Sequence, residues 1–164
     1  MKLDEMARRV GILLLRHNLT ICTAESCTGG LIASSITDVP GSSGYFLGGV
    51  VTYSNLAKLM LLAVPEATLQ RYGAVSAPVA LTMARQARRL FGADVAVSAT
   101  GIAGPGGGTA LKPVGLVYVA VANPRVTVVH RVLLPHDRRG NKVATVALAL
   151  DLVLRQFAGD LPTT

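Results

Sequence analysis

Apolar residues recur near the start of the chain at Leu3, Met6, Ala7, Val10, Leu13 and Leu14, the spacing of one helix face, and the pattern ends near His17 and Asn18. A strand is predicted next over residues 20–24. It runs into the small-residue turn Ser26-Cys27-Thr28-Gly29-Gly30 and a short helix over 31–36 that stops before Pro40-Gly41. Residues 46–52 read as a second strand, after which Ser54 or Asn55 can cap a short helix containing Lys58. Pro65 opens another short helix over 66–72. Ser76 and Pro78 start a longer one whose buried stripe is Val79, Met83, Ala87 and Leu90 and whose end is Gly92. Residues 94–100 form an apolar run of strand length, and 101–113 a glycine-rich loop. Two alternating, β-branched runs, 114–122 and 126–134, joined through Asn123-Pro124, predict an antiparallel strand pair, and a last helix covers about 138–157. Strands interleaved with helices, without internal repeat or linker, predict one α/β domain over residues 1–164, with a mixed central sheet and helices on both faces.

Composition sharpens this picture. With 51% hydrophobic and 15% charged residues the chain is too apolar for disorder, and with 4% aromatics and no Trp its core has to be built from Ala, Val, Leu and Ile. The longest apolar run, 143–154, is broken by Asp151 and falls short of the roughly 18 residues of a membrane span. The N-terminus, with Asp4 and Glu5, carries no apolar run long enough for a signal segment. Cys22 and Cys27 stand five apart with no matching His pair, which indicates neither a zinc site nor a disulfide framework and fits a reduced, cytoplasmic chain. The net charge of +7 points to nucleic acid or a phosphorylated small molecule. The 16 Lys and Arg are scattered, densest at Arg85/Arg88/Arg89 and Arg138/Arg139/Lys142, and few aromatics are present to stack bases, so the small molecule is favoured over nucleic acid.

Chemistry concentrates where strands turn into loops. Ser26 sits at a strand-to-helix turn with two glycines downstream, so the N–H groups of Cys27 and Thr28, helped by the positive end of the following helix, can face a developing oxyanion. The spacing is not that of the GxSxG elbow, and a plain N-cap serine reads equally from it. None of the three histidines is placed to serve such a serine. Lys58, alone in Leu56-Ala57-Lys58-Leu59-Met60-Leu61-Leu62, either is buried with a depressed pKa, as a Ser-Lys mechanism requires, or snorkels to water. Gly101 begins the glycine loop directly after Thr100 at a strand end, where backbone can approach a ligand, although neither a P-loop nor a dinucleotide fingerprint is present. Gly41-Ser42-Ser43-Gly44 is a second small-residue loop whose hydroxyls suit an anion or a plain turn.

Taken together, AESCTGG (24–30), PGSS (40–43), GGVVTYSNLAK (48–58), YGAVS (72–76), ATGIAGPGGG (99–108) and KPVG (112–115) resemble, in order and over nearly the whole chain, the CinA C-terminal family of nicotinamide mononucleotide deamidases. The resemblance implies a three-layer α/β/α sandwich, usually a homodimer, that hydrolyses the carboxamide of nicotinamide mononucleotide to nicotinate mononucleotide and ammonia without metal or cofactor. It implies Ser26 as nucleophile, Lys58 as base, Tyr53 as an aid to proton transfer and Thr100 as the group that holds or polarises the reacting amide. Cys27 and Thr28 would supply oxyanion N–H groups, Gly101 would border the substrate, Gly41, Ser42 and Ser43 with Arg138 and Lys142 would hold the phosphate, and Glu25 either orients the substrate site or simply ends its strand. Family members commonly carry GDR and a second arginine four residues on, where this chain reads His136-Asp137-Arg138-Arg139-Gly140-Asn141-Lys142. Three other readings compete: a different amide or ester cleaved by the same dyad, Cys27 as nucleophile, and a non-catalytic nucleotide-binding module associated with competence or DNA damage, in which Ser26 and Lys58 would be dispensable.

Overall fold

The computed structural model describes residues 2–157. Its elements are α1 (Leu3–Arg16), β1 (Ile21–Glu25), α2 (Leu31–Thr37), a 3-10 turn (Ser42–Gly44), β2 (Phe46–Val51), α3 (Asn55–Leu62), α4 (Glu66–Tyr72), α5 (Ala77–Phe91), β3 (Val95–Gly101), β4 (Leu116–Ala122), β5 (Thr127–Leu133) and α6 (Arg138–Gln156). The five strands make one sheet in the order β2-β1-β3-β4-β5. β1 runs parallel to β2 and β3, while β4 is antiparallel to both β3 and β5, so the sheet is mixed.

Helices α1, α2 and α6 cover one face, packing Val10, Leu14, Ile32, Ile36, Val146 and Leu150 against Ile21, Val97 and Val119. Helices α3, α4 and α5 cover the other, with Leu62, Leu69, Val79, Met83 and Ala87 against Cys22, Ala24 and Ala96. A third contact, Ala80 and Ala84 on Ala120 and Ala122, is small on small and lets α5 lie close to the sheet. The result is the three-layer α/β/α sandwich, and coverage on both faces is why every residue of β1 is buried. No helix among the described residues is long and apolar enough to cross a membrane.

Helix ends follow local chemistry. Asp4 and Glu5 occupy the first turn of α1 and Arg16 its last, each favoured by the helix dipole. Leu90, expected in the buried stripe of α5, is instead 56% exposed. The stripe Val79, Met83, Ala87 continues by four residues to Phe91, whose ring lies over Gly48 where a β-carbon would approach it to 2.7 Å, and this turns Leu90 outward.

Parallel pairing fixes what lies at each edge of the sheet. Tyr45 O accepts from Ile21 N at 2.8 Å, so the Gly41–Ser43 loop sits where β1 begins, whereas Ser26 follows its end.

Candidate active site

The site forms at the carboxyl ends of β1 and β3. The register pairs Glu25 with Ala99 and Glu25 with Val51, so Ser26 and Thr52, the first residues past β1 and β2, stand beside Thr100 near the end of β3. Ser26 N–H donates to Ala99 O at 2.9 Å and Thr52 N–H to Glu25 O at 2.8 Å, which pins the turn between its two neighbours.

Lys58 enters from α3. Ser54 caps this helix by accepting from Ala57 N–H at 3.0 Å, and the resulting phase turns the fourth helical residue inward. Lys58 is 1% exposed, and its Nζ donates to Thr52 O at 2.8 Å and to Ser26 Oγ at 3.0 Å. Burial lowers its pKa below the usual lysine value, with Cys27 acting weakly against that shift, and no carboxylate partners it among the described residues. A buried amine of this kind favours its neutral form, whose lone pair can take the hydroxyl proton beside it. Between the alternatives of snorkelling and burial, the structure has burial.

The turn 26–30 is shaped by Glu25. Its buried carboxylate accepts from Gly30 N–H at 3.1 Å, Ile32 N–H at 2.9 Å and Ala33 N–H at 2.8 Å. The first turn of α2 is therefore already occupied by an internal anion, and the expectation that its positive end would aid an oxyanion is corrected. What remains is the pair of N–H groups on Cys27 and Thr28, which donate to no other described residue. The hydroxyl of Thr28 is fully buried and has no hydrogen-bond partner among the described residues. Burial pushes the Cys27 thiol up to about 12, so the thiolate that a cysteine mechanism needs does not form near neutral pH.

Ser26, Cys27, Tyr53, Lys58, Thr100, Gly101 and Arg138 line one cavity of about 270 Å³. Thr100 Oγ1 donates to Ala74 O at 2.8 Å, which leaves its lone pairs as the polar feature offered to a ligand. Gly101 is the last residue of β3, and a β-carbon there would meet Leu116 O at 2.8 Å. Arg138 donates from Nη1 to Gly104 O at 2.7 Å and from Nη2 to the Tyr53 hydroxyl at 2.9 Å, joining the two sides of the cavity mouth.

Ala103, Gly104 and Arg138 are shared with an adjoining cleft of about 640 Å³, lined also by His136, Arg139 and Lys142. Lys142 Nζ lies 3.6 Å from where a β-carbon of Gly29 would stand, so it reaches back over the serine turn. Asp137, the one acid lining the cleft, is engaged as the α6 cap by Gly140 N–H. The sequence reading missed Asn141, which is buried and ties His136 N–H to its Oδ1 while its amide donates to Ala103 O. It also missed Thr52, whose contribution is a backbone carbonyl. Ser26, Cys27, Tyr53, Lys58, Thr100, Gly101 and Arg138 share one cavity and Lys142 lines the cleft beside it, whereas the side chains of Glu25 and Thr28 are buried and line neither, and Gly41, Ser42 and Ser43 lie at the opposite end of β1 within the same chain. Among the described residues, no group of three or more His, Cys, Asp or Glu is arranged to hold a metal ion.

Comparison with known proteins agrees with this architecture. The chain is 54% identical over 144 residues to a CinA-like protein of Chlorobaculum tepidum, covering 84% of this chain and 34% of that protein. It is 51% identical over 148 residues to a CinA-like protein of Geotalea uraniireducens, covering 90% and 35% respectively. The chain thus spans about a third of the length of these relatives. The crystal structure of the competence/damage inducible protein CihA from Agrobacterium tumefaciens superposes with a TM-score of 0.91 at 43% identity, covering 93% of this chain and 94% of that one. The competence damage-inducible protein A from Klebsiella pneumoniae gives a TM-score of 0.94 at 30% identity, covering 98% of this chain and 100% of that one. The family model for the CinA C-terminal domain matches residues 3–157, and the chain belongs to that family.

Proposed function

We propose that the chain is a nicotinamide-nucleotide amidase, hydrolysing the carboxamide of nicotinamide mononucleotide to nicotinate mononucleotide and ammonia through a Ser26–Lys58 dyad. The observation that carries this reading is the buried Lys58 Nζ, 3.0 Å from Ser26 Oγ and without a carboxylate partner among the described residues. Neutral Lys58 takes the Ser26 proton as Oγ attacks the amide carbon. The N–H groups of Cys27 and Thr28 receive the oxyanion, and Thr100 Oγ1, its proton committed to Ala74 O, accepts from the amide nitrogen. Lys58 then returns the proton to that nitrogen, ammonia leaves, and a nicotinoyl ester remains on Ser26. Water attacks the ester with Lys58 again as base, which releases the acid and restores the serine. Tyr53 accepts from Arg138 and keeps its own proton available at the cavity mouth. The substrate phosphate lies in the adjoining cleft, among Arg139, Lys142 and Arg138.

Ammonia release from nicotinamide mononucleotide tests the reading on folded wild type, Ser26→Ala, Lys58→Ala and Cys27→Ala. Wild type and Cys27→Ala should turn over, and the other two should lose roughly a thousandfold or more. No ammonia from folded wild type ends the substrate assignment, while full activity in Ser26→Ala ends the dyad.

A further inference from the structure

Three arginines on α5 take no part in the Ser26 cavity. Arg85, Arg88 and Arg89 recur at the spacing of one helix face, and with Thr82, Gln86, Asn123 and Thr127 they line a second cavity of about 370 Å³ between α5 and the β4–β5 turn. Every residue of that lining is polar or basic, and none is acidic or aromatic. α5 lies on the sheet through Ala80 and Ala84 against Ala120 and Ala122. Ala122 in turn pairs with Ala96 at the start of β3, so this cavity is at the opposite end of that strand from Thr100 and the Ser26 site.

The three cations lack a counter-ion within the chain. None of them forms an ion pair among the described residues. Asp94, the nearest acid along the sequence, is engaged by the N–H and the hydroxyl of Thr20, each at 2.8 Å. Arg85 Nε donates to Thr127 Oγ1 at 3.1 Å, which holds the side chain and leaves its two terminal nitrogens to donate side by side. Arg88 makes one longer bond, from Nη1 to Ala93 O at 3.4 Å, and Arg89 is exposed. Arg85 and Arg89 stand four residues apart, where like charges destabilise a helix. The helix dipole compensates Arg88 and Arg89 in the last turn of α5, but not Arg85, which lies more than a turn before its end.

We propose that this cavity binds a condensed phosphate, a chain of two or three linked phosphoryl groups, at a site separate from the catalytic one. A guanidinium fork takes phosphate oxygens two at a time. From Arg85 to Arg89 the helix rises about 6 Å, and linked phosphoryl groups gather several negative charges within such a span. A nucleic-acid strand instead brings one charge per nucleotide and a base with each, and no aromatic side chain lines the cavity to stack it. The site stands apart from the amidase reading, because its ligand is bound and not turned over.

Calorimetric titration with inorganic tripolyphosphate at about 150 mM salt, where loosely held surface charge is screened, tests the site. It is run on wild type, Arg85→Gln/Arg89→Gln, Arg139→Gln/Lys142→Gln and, as a control for charge alone, Lys2→Gln/Arg8→Gln on α1. Wild type should show a binding event that the α5 pair weakens more than tenfold and that persists in the other two. No binding by wild type, unchanged binding in the α5 pair, equal weakening in the α1 pair, or binding lost only with Arg139 and Lys142 overturns the proposal. Adenosine triphosphate in place of tripolyphosphate separates the sources: equal affinity marks the phosphate chain alone as the ligand, and tighter binding marks a nucleotide that carries it. A single-stranded oligonucleotide that binds more tightly than either at equal phosphate concentration overturns the condensed-phosphate assignment. These titrations need no turnover, so they decide the site whether or not wild type releases ammonia.

Discussion

At the scale of single residues, the proposed chemistry turns on whether Lys58 acts through its lone pair or its charge. Arginine keeps the charge and cannot surrender its proton, so Lys58→Arg should lose activity by roughly a thousandfold, about as much as Lys58→Ala, if the lysine is a base. The pH profile gives the sign independently. Burial favours the deprotonated amine, so kcat/KM should rise with pH as Lys58 loses its proton, with its inflection below the ordinary lysine value of 10.5. A profile flat from pH 6 to 10, or an active arginine variant, contradicts the assignment. Ser26 and Lys58 stood out as candidates, a serine before paired glycines and the one charge in a long apolar run, but from the residues alone each kept a plain structural alternative that only the family resemblance weighed against. Thr52 did not stand out, since a carbonyl acceptor has no side-chain signature, and the depth of Lys58 depended on the cap at Ser54, which the sequence offered only as one of two neighbours.

At the scale of elements, the sheet is assembled by close backbone approaches that glycine permits. A β-carbon at Gly49 would stand 2.1 Å from Thr23 Oγ1, an overlap neither strand can relieve without shifting. Gly49→Ala should therefore destabilise the fold by about 1–3 kcal/mol in chemical denaturation. The Thr23 hydroxyl is buried with no hydrogen-bond partner among the described residues, so Thr23→Ala should cost little by itself and should recover most of that loss in the double variant. Additive losses would show that the strain lies elsewhere. The order of helices and strands was readable from periodicity, because amphipathic stripes and β-branched runs are local signals. Strand order was not. That β1 lies between β2 and β3, which decides that Ser26 and Thr100 meet while the Gly41–Ser43 loop faces the other way, comes from pairing between distant segments. Leu90 shows the same limit in miniature, since three- and four-residue steps both continue a helical stripe and only the position of Gly48 selects Phe91.

At the scale of the whole molecule, the +7 charge acquires a location. Arg138, Arg139, Lys142 and His136 gather on one cleft opening onto the Ser26 cavity. If this cleft holds the anionic end of the substrate, raising ionic strength from about 50 to about 500 mM should raise KM several-fold and leave kcat nearly unchanged, because screening weakens attraction to partly exposed cations and spares the buried dyad. A salt-independent KM would place the anion elsewhere.

The internal anion at the start of α2 gives this cleft a direction. Two helices begin beside it, and on general grounds either could receive a phosphate. Glu25 already saturates three of the amides at one of them. An incoming dianion finds no vacant donors there and meets a carboxylate of its own sign, while the α6 side presents arginines and a lysine. In the proposed amidase reading, a substrate with one anionic end and one neutral end lies across the cavity with its neutral end beneath the serine. In that reading Glu25 acts as a compass for the substrate from beneath the turn, its carboxylate spent on the α2 amides.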